Sequence, residues 1–187
     1  MSMIQIWKKG TEVTLLKKFG KEMRRVMFAN PKTGAEEEFV LFGSKDWSVI
    51  LPVTDDNQVI TVLQYKQGCN KIIRELPAGV ADFENEKPED TARRELLEET
   101  GYEADSMKFL GPPLWISSRS SWTRFWPFLA KGCKKVAEAK LDSLEDIEIG
   151  LIPLEEWIQK TLSEIEEPSA IVATFRALPH IGYNIEK

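Results

Sequence analysis

Three glutamates, Glu95, Glu98 and Glu99, stand within a short stretch of a 187-residue chain. In a helix, spacings of three and four residues place their carboxylates on or near one face. Like charges at about 4 Å repel by on the order of 4 kcal/mol at an effective dielectric of about 20, so such a cluster in a cleft calls for a neutralising cation. Hard oxygen donors favour Mg2+, with Mn2+ as a substitute, over zinc, and magnesium commonly joins a few carboxylates to the phosphates of a substrate. The residues taken alone leave a second reading open, a solvated acidic helix face, which is the usual fate of glutamate-rich helices.

Other chemistries lack their parts. The single histidine, His180, lies near the end of the chain, and the two cysteines, Cys69 and Cys133, are far apart without paired spacing. A zinc centre of the usual ligand set is therefore not expected, and no nucleophile-elbow pattern accompanies His180, which reads as structural.

The run Arg94-Glu95-Leu96-Leu97-Glu98-Glu99-Thr100-Gly101-Tyr102, preceded by Glu86 and Gly79, resembles the catalytic box of the Nudix hydrolase family. That resemblance implies Mg2+-dependent cleavage of a diphosphate linkage in a small nucleotide derivative. It makes Glu95 and Glu99 the principal metal ligands and Glu98 a further ligand or the orienter of the attacking water, with the carbonyl of Ala78 completing the shell. Arg94 and Glu86 would fix helix to loop, and Gly79 and Gly101 would be structural. The spacer from Gly79 to Glu86 is one residue longer than the family's usual one, which makes Glu84 a rival of Glu86.

Outside the box, Gln64-Tyr65-Lys66 and Arg74-Glu75-Leu76-Pro77-Ala78-Gly79 resemble the subgroup that hydrolyses ADP-ribose and nucleoside diphosphate sugars. The resemblance implies substrate contacts for Lys66 and Glu75, Lys66 acting as a point charge rather than a fork. In that subgroup a loop before the last strand supplies another acid, and the matching stretch Asp142 to Ile147 offers Glu145 as general base, with Glu98 as the alternative. Residues 112–127 depart from the subgroup. There the tryptophans either stack on a base while Arg119 or Arg124 meets phosphate, or simply pack beneath a long loop. A hydrolase of nucleoside triphosphates or dinucleoside polyphosphates, or a non-catalytic sensor of nucleotide metabolites, stands as the alternative function.

These side chains need elements to hold them. Pro88, with Glu89 and Asp90 after it, marks a helix start, and Gly101 marks its end. Strand patterns run over Ser48–Val53, Gln58–Tyr65, Ile72–Leu76, Met107–Leu110, Trp126–Ala130 and Ile147–Ile152, the second of them apolar on both faces and so central. Pro77-Ala78-Gly79 reads as the end of a strand, followed by a loop from Val80 to Lys87. Two helices, from Leu154 to about Glu164 and from about Ser169 to Leu178, close the chain. Before all this, Glu12–Leu16, Arg25–Phe28 and Glu38–Phe42 are β-prone, with a hairpin signal at Asn30-Pro31-Lys32-Thr33-Gly34. The expected fold is α/β, a Nudix-type α/β/α sandwich with a mixed β-sheet over residues 46–187, plus a small antiparallel β region over residues 1–45. Relatives of this kind pair through their N-terminal sheets, which implies a homodimer.

Composition agrees with a folded, water-soluble protein: 42% apolar, 29% charged, net charge −5. That charge offers nothing to a nucleic acid polymer. No signal peptide or membrane-length apolar run is visible, and with two unpaired thiols cytoplasmic residence is expected.

Overall fold

The structure, a computed structural model, describes residues 4–83, 85–143 and 145–183. The chain divides into two compact units, one of residues 1–46 and 114–124, the other of residues 47–113 and 125–187. 

The first unit is built on a three-stranded antiparallel sheet of β1 (Lys8–Lys18), β2 (Lys21–Ala29) and β3 (Glu36–Gly43), in that order. Segment 114–124, which opens with the two-residue strand β9 (Leu114–Trp115), belongs to this unit through long-range bonds. Phe42 N–H donates to the Ser120 carbonyl at 2.9 Å, Ser44 N–H donates to Thr123 Oγ1 at 2.6 Å, and Asp46 receives the Arg124 guanidinium at 2.8 Å.

In the second unit, β4 (Trp47–Thr54), β5 (Gln58–Lys66), β8 (Tyr102–Phe109), β10 (Arg124–Lys135) and β11 (Ile147–Pro153) form a mixed sheet in the order β11-β5-β4-β10-β8. Short strands β6 (Lys71–Glu75) and β7 (Ala78–Val80) add to β5 and β4. Only the β4–β10 pairing is parallel among these neighbours, because the chain returns to β10 after crossing over through α1 (Pro88–Thr100). On one face, Ile50 and Ile60 of the sheet pack with Ala92 and Leu96 of α1 and Phe128 of β10, all of them buried. Burying a leucine such as Leu96 contributes about 1.5–3 kcal/mol. The alternate residues Val49 and Leu51 are also buried, facing the side covered by α2 (Leu154–Ser163) and α3 (Pro168–Ala177). Trp157 Nε1 donates to Thr174 Oγ1 at 2.8 Å and ties those two helices together. The result is the α/β/α sandwich with a mixed sheet, accompanied by a small antiparallel sheet.

One local expectation needs correcting. Ala78 and Gly79 are not the end of the preceding strand, nor is Val80 the start of the loop: the three form a separate strand, β7, pairing antiparallel with Trp47, Ser48 and Val49. Strands β8 and β10 also run longer than their apolar cores suggest. Helix α1 begins and ends where its signals lie, and Gly101 adopts the left-handed conformation at φ 75° while its N–H donates to Leu97 O at 2.8 Å. A side chain there would be strained by that φ and would also strike the backbone of Ala137.

Candidate active site

Helix α1 delivers the carboxylates and β7 delivers the floor. Glu99 is buried, at 4% exposure, and its Oε2 accepts the Ala78 N–H at 3.0 Å. Burial pushes its carboxyl up to about 8, against the pull of that N–H, and the charges of Glu95, Glu145 and Glu75 add to the rise. No cation pairs with Glu99 among the described residues. Glu95 lies one turn earlier, and burial pushes its carboxyl up to about 7 in spite of the neighbouring Arg94 guanidinium. A β-carbon on Gly79 would overlap the Glu95 carboxyl group, so glycine here makes room for the acid rather than for a turn.

Arg94 gathers much of what remains. Its Nε donates to Glu86 at 3.1 Å, its Nη2 to the Val80 carbonyl at 2.8 Å, and its Nη1 to both Glu95 at 2.9 Å and Glu98 at 2.8 Å. Asp82 stands 3.4 Å away. Burial of the guanidinium opposes its charge, but Glu86, Glu98 and Glu95 outweigh that and raise its pKa. Glu86 in turn is held below its ordinary value, its own burial being outweighed by Arg94 and the Asp82 N–H. The structure thus joins Glu86 to Arg94, while Glu84 lies outside the described residues.

Glu95 and Glu98 both turn toward Arg94, and among the described residues no three acidic, histidine or cysteine side chains surround a single point. The donor chemistry nevertheless fits a hard divalent cation: two carboxylates one helical turn apart, Glu95 half-buried and Glu99 buried, the latter lacking any cationic partner among the described residues, beside the backbone of Ala78. Glu98 is the outermost, its side chain 40% exposed.

Along the same sheet, the Glu75 carboxylate accepts from Gln64 Nε2 at 2.7 Å and from Lys66 Nζ at 2.5 Å. Burial raises its pKa, against Lys66. The hold of Gln64 on Glu75 follows from the β5–β6 register, in which Gln64 pairs with Ile73 and Glu75 with Val62, so that the two side chains are diagonal neighbours on one face. The Glu145 Oε2 accepts the Asp142 N–H at 2.9 Å. Arg119 and Arg124 belong to the other unit. There Arg124 binds Asp46 and lies over the Trp115 ring, while the Arg119 side chain has no partner among the described residues. His180 is exposed in a short 3-10 turn.

A carboxylate helix closed by a left-handed glycine, packed on a glycine-containing strand at the edge of a mixed α/β/α sheet, defines the class. The family model of the NUDIX domain matches residues 44–170, and the chain belongs to that family. It is similar to a methanol dehydrogenase activator of Bacillus methanolicus, 34% identical over 116 residues, which are 59% of this chain and 59% of that protein. It is also similar to ADP-ribose pyrophosphatases of Bacillus subtilis strain 168 (45% over 58 residues, 31% of each chain) and of Mycobacterium tuberculosis H37Rv (31% over 114 residues, 60% of this chain and 55% of that one). The chain therefore spans less than two thirds of the length of each of these relatives. In fold it matches the crystal structure of an ADP compounds hydrolase, with a TM-score of 0.83 at 19% identity, over 98% of this chain and 100% of that one.

Proposed function

We propose that the chain hydrolyses the diphosphate linkage of ADP-ribose or a nucleoside diphosphate sugar, giving a nucleoside monophosphate and a sugar phosphate. The observation that carries this is Glu99, a buried carboxylate without a cationic partner among the described residues, one turn from Glu95 in the box of this family. Glu95 and Glu99, with the Ala78 carbonyl and Glu98, would hold Mg2+, which supplies charge neutralisation for the diphosphate and a lowered pKa for bound water.

The remaining work belongs to the chain. Water adds to one phosphorus, the bridging oxygen leaves on the other phosphoryl group, and a carboxylate takes the water's proton. Glu145 is the preferred acceptor, because its charge lies close enough to raise the Glu99 pKa, whereas Glu98 is already engaged by Arg94. Lys66, steadied by Glu75, offers a point cation to phosphate. Arg94 orders Glu95 and Glu98 before substrate arrives, which reduces the reorganisation left to the reaction.

Two copies pair, in this reading, through the N-terminal sheet. On one of its faces Leu16, Met23 and Phe42 stand side by side, with Val13 and Val40 flanking Arg25 in the next rung, and all six are exposed. Cytoplasmic residence goes with two free thiols, one of them exposed on Cys69. No helix among the described residues is long and apolar enough to cross a membrane.

The deciding experiment incubates the protein and Mg2+ with ADP-ribose, nucleotide sugars, nucleoside triphosphates and dinucleoside polyphosphates, with products identified by mass. Cleavage of ADP-ribose or a nucleotide sugar to two monophosphates is expected. Cleavage confined to triphosphates or dinucleoside polyphosphates overturns the substrate class, and no cleavage of any linkage overturns the enzyme.

A further inference from the structure

The hairpin of β1 and β2 turns through two residues, Phe19 and Gly20, both of positive φ, at 51° and 71°. That pair of angles marks a type I′ turn, whose first position prefers asparagine, aspartate or glycine. The other non-glycine residues of positive φ among the described residues are Asn57, Asn70 and Asn85, a residue type that tolerates the left-handed region. A phenylalanine there is strained, because its β-carbon crowds the following carbonyl. No burial offsets the strain: Phe19 is 88% exposed, and a β-carbon added to Gly20 would meet no atom within 4 Å.

Charge at this tip also opposes the hairpin. Lys18 stands directly opposite Lys21, a like-charge pair that disfavours strand pairing. Lys17 faces Glu22 in the next rung, but Glu22 is already engaged by Arg24 and by Thr14, each at 2.7 Å. None of the three lysines has an ion pair among the described residues, all three are exposed, and the Lys18 ammonium lies 4.9 Å from the centroid of the Phe19 ring. Features that work against folding gather where a surface is used, and here a strained, solvent-facing aromatic is ringed by unpaired cations.

We propose that the tip anchors the protein to an anionic lipid surface, Phe19 entering the boundary between headgroups and acyl chains while Lys17, Lys18 and Lys21 lie on the lipid phosphates. Size chooses this partner over an acidic protein. A two-residue turn standing in open solvent cannot supply the roughly 800 Å² a side of a standard protein interface, whereas a fluid headgroup layer closes around it. The net charge of −5 does not prevent approach, because at a Debye length of about 8 Å the membrane responds to the charges nearest it. Each lysine near such a surface strengthens partitioning roughly fivefold, so three together give about a hundredfold. Phe19 lies beyond the rung of Leu16 and Met23, so pairing of two copies and anchoring use different residues.

The test is flotation of the full chain with lipid vesicles in EDTA, so that no divalent cation bridges carboxylates to lipid phosphate. Vesicles of phosphatidylcholine alone are compared with vesicles in which about a third of the lipid is phosphatidylglycerol. The protein is expected to float with the anionic vesicles, to stay behind with the neutral ones, and to be released at high salt. Phe19→Asn installs a residue that the turn prefers, so its melting temperature should equal or exceed that of the parent, while binding falls at least about tenfold with the loss of the inserted ring. Lys17→Gln, Lys18→Gln and Lys21→Gln combined should weaken binding about a hundredfold, and Phe19→Trp should retain it. Equal binding to both kinds of vesicle, or a Phe19→Asn variant that binds as the parent does, overturns the proposal. Binding to neither overturns it as well and leaves the tip to an acidic groove on a protein. Because no turnover is measured, this result and the outcome of the substrate panel stand or fall separately.

Discussion

The carboxyl group of Glu95 occupies the space that a β-carbon on Gly79 would fill. Strand β7 and helix α1 therefore approach each other at a point where the only tolerated side chain is a hydrogen atom. Gly79→Ala should displace Glu95 from the floor of the site. The expected effects are a loss of about 1–3 kcal/mol in stability, the range for overpacking, and a fall in turnover of more than tenfold. Chemical denaturation and single-turnover kinetics on ADP-ribose check both, and an alanine variant with parental values would contradict the geometry.

Glu99→Gln keeps the size of the side chain and removes its charge. Turnover is expected to fall by at least about two orders of magnitude, the scale for loss of a main electrostatic group. Stability at pH 8 without metal should rise at the same time, since a buried charge without a counterion is gone. A stopped assay with a parallel melting curve reads the two opposed changes.

Stability without metal should also depend on pH in a direction set by these acids. Glu95 and Glu99 ionise in the folded chain at about 7 and about 8, above the ordinary glutamate value of 4.5. The native state then holds more protons than the unfolded one between those limits, so stability declines as pH rises from about 5 to about 8 and levels off above. A divalent cation would bind the ionised form, so on the proposed Mg2+ site the rise in Tm with added Mg2+ should grow over the same interval. Melting curves across that range with EDTA or Mg2+ test this, and a metal effect that shrinks with pH would refute it.

Pairing through the N-terminal sheet predicts its own disruption. Val40→Glu places a charge on the outer strand β3, on the exposed face that carries Val13, Leu16, Met23 and Phe42. Light scattering should give a dimer for the parent and a monomer for the variant. A parent that already runs as a monomer at micromolar concentration would remove the dimer.

How much of this was legible in the sequence varies with the range of the contacts involved. Helix α1 was fully readable because its signals are local: Pro88 at the first turn, Glu89 and Asp90 beside it, and Gly101 beyond the last. Strand β7 was not, since Ala78-Gly79-Val80 is too short for any period and its identity comes from pairing with Trp47, Ser48 and Val49, some thirty residues earlier. The grouping of residues 114–124 with the N-terminal sheet rests on Ser44 meeting Thr123 and Asp46 meeting Arg124, contacts with no local signature. Within the box, residue types announced the carboxylates, but the capture of Glu95 and Glu98 by a single Arg94 nitrogen depends on rotamers.

That grouping also constrains how the gene can be cut. The chain enters and leaves the N-terminal unit at three junctions, near residues 46, 113 and 124, so deleting the first 46 residues does not free a self-sufficient catalytic fragment. It strips the sheet from Trp115, Trp122 and Arg124 and leaves them as an orphaned, sticky insertion. A functional split of this protein has to excise both stretches together, replacing the second with a short turn between Pro113 and Phe125.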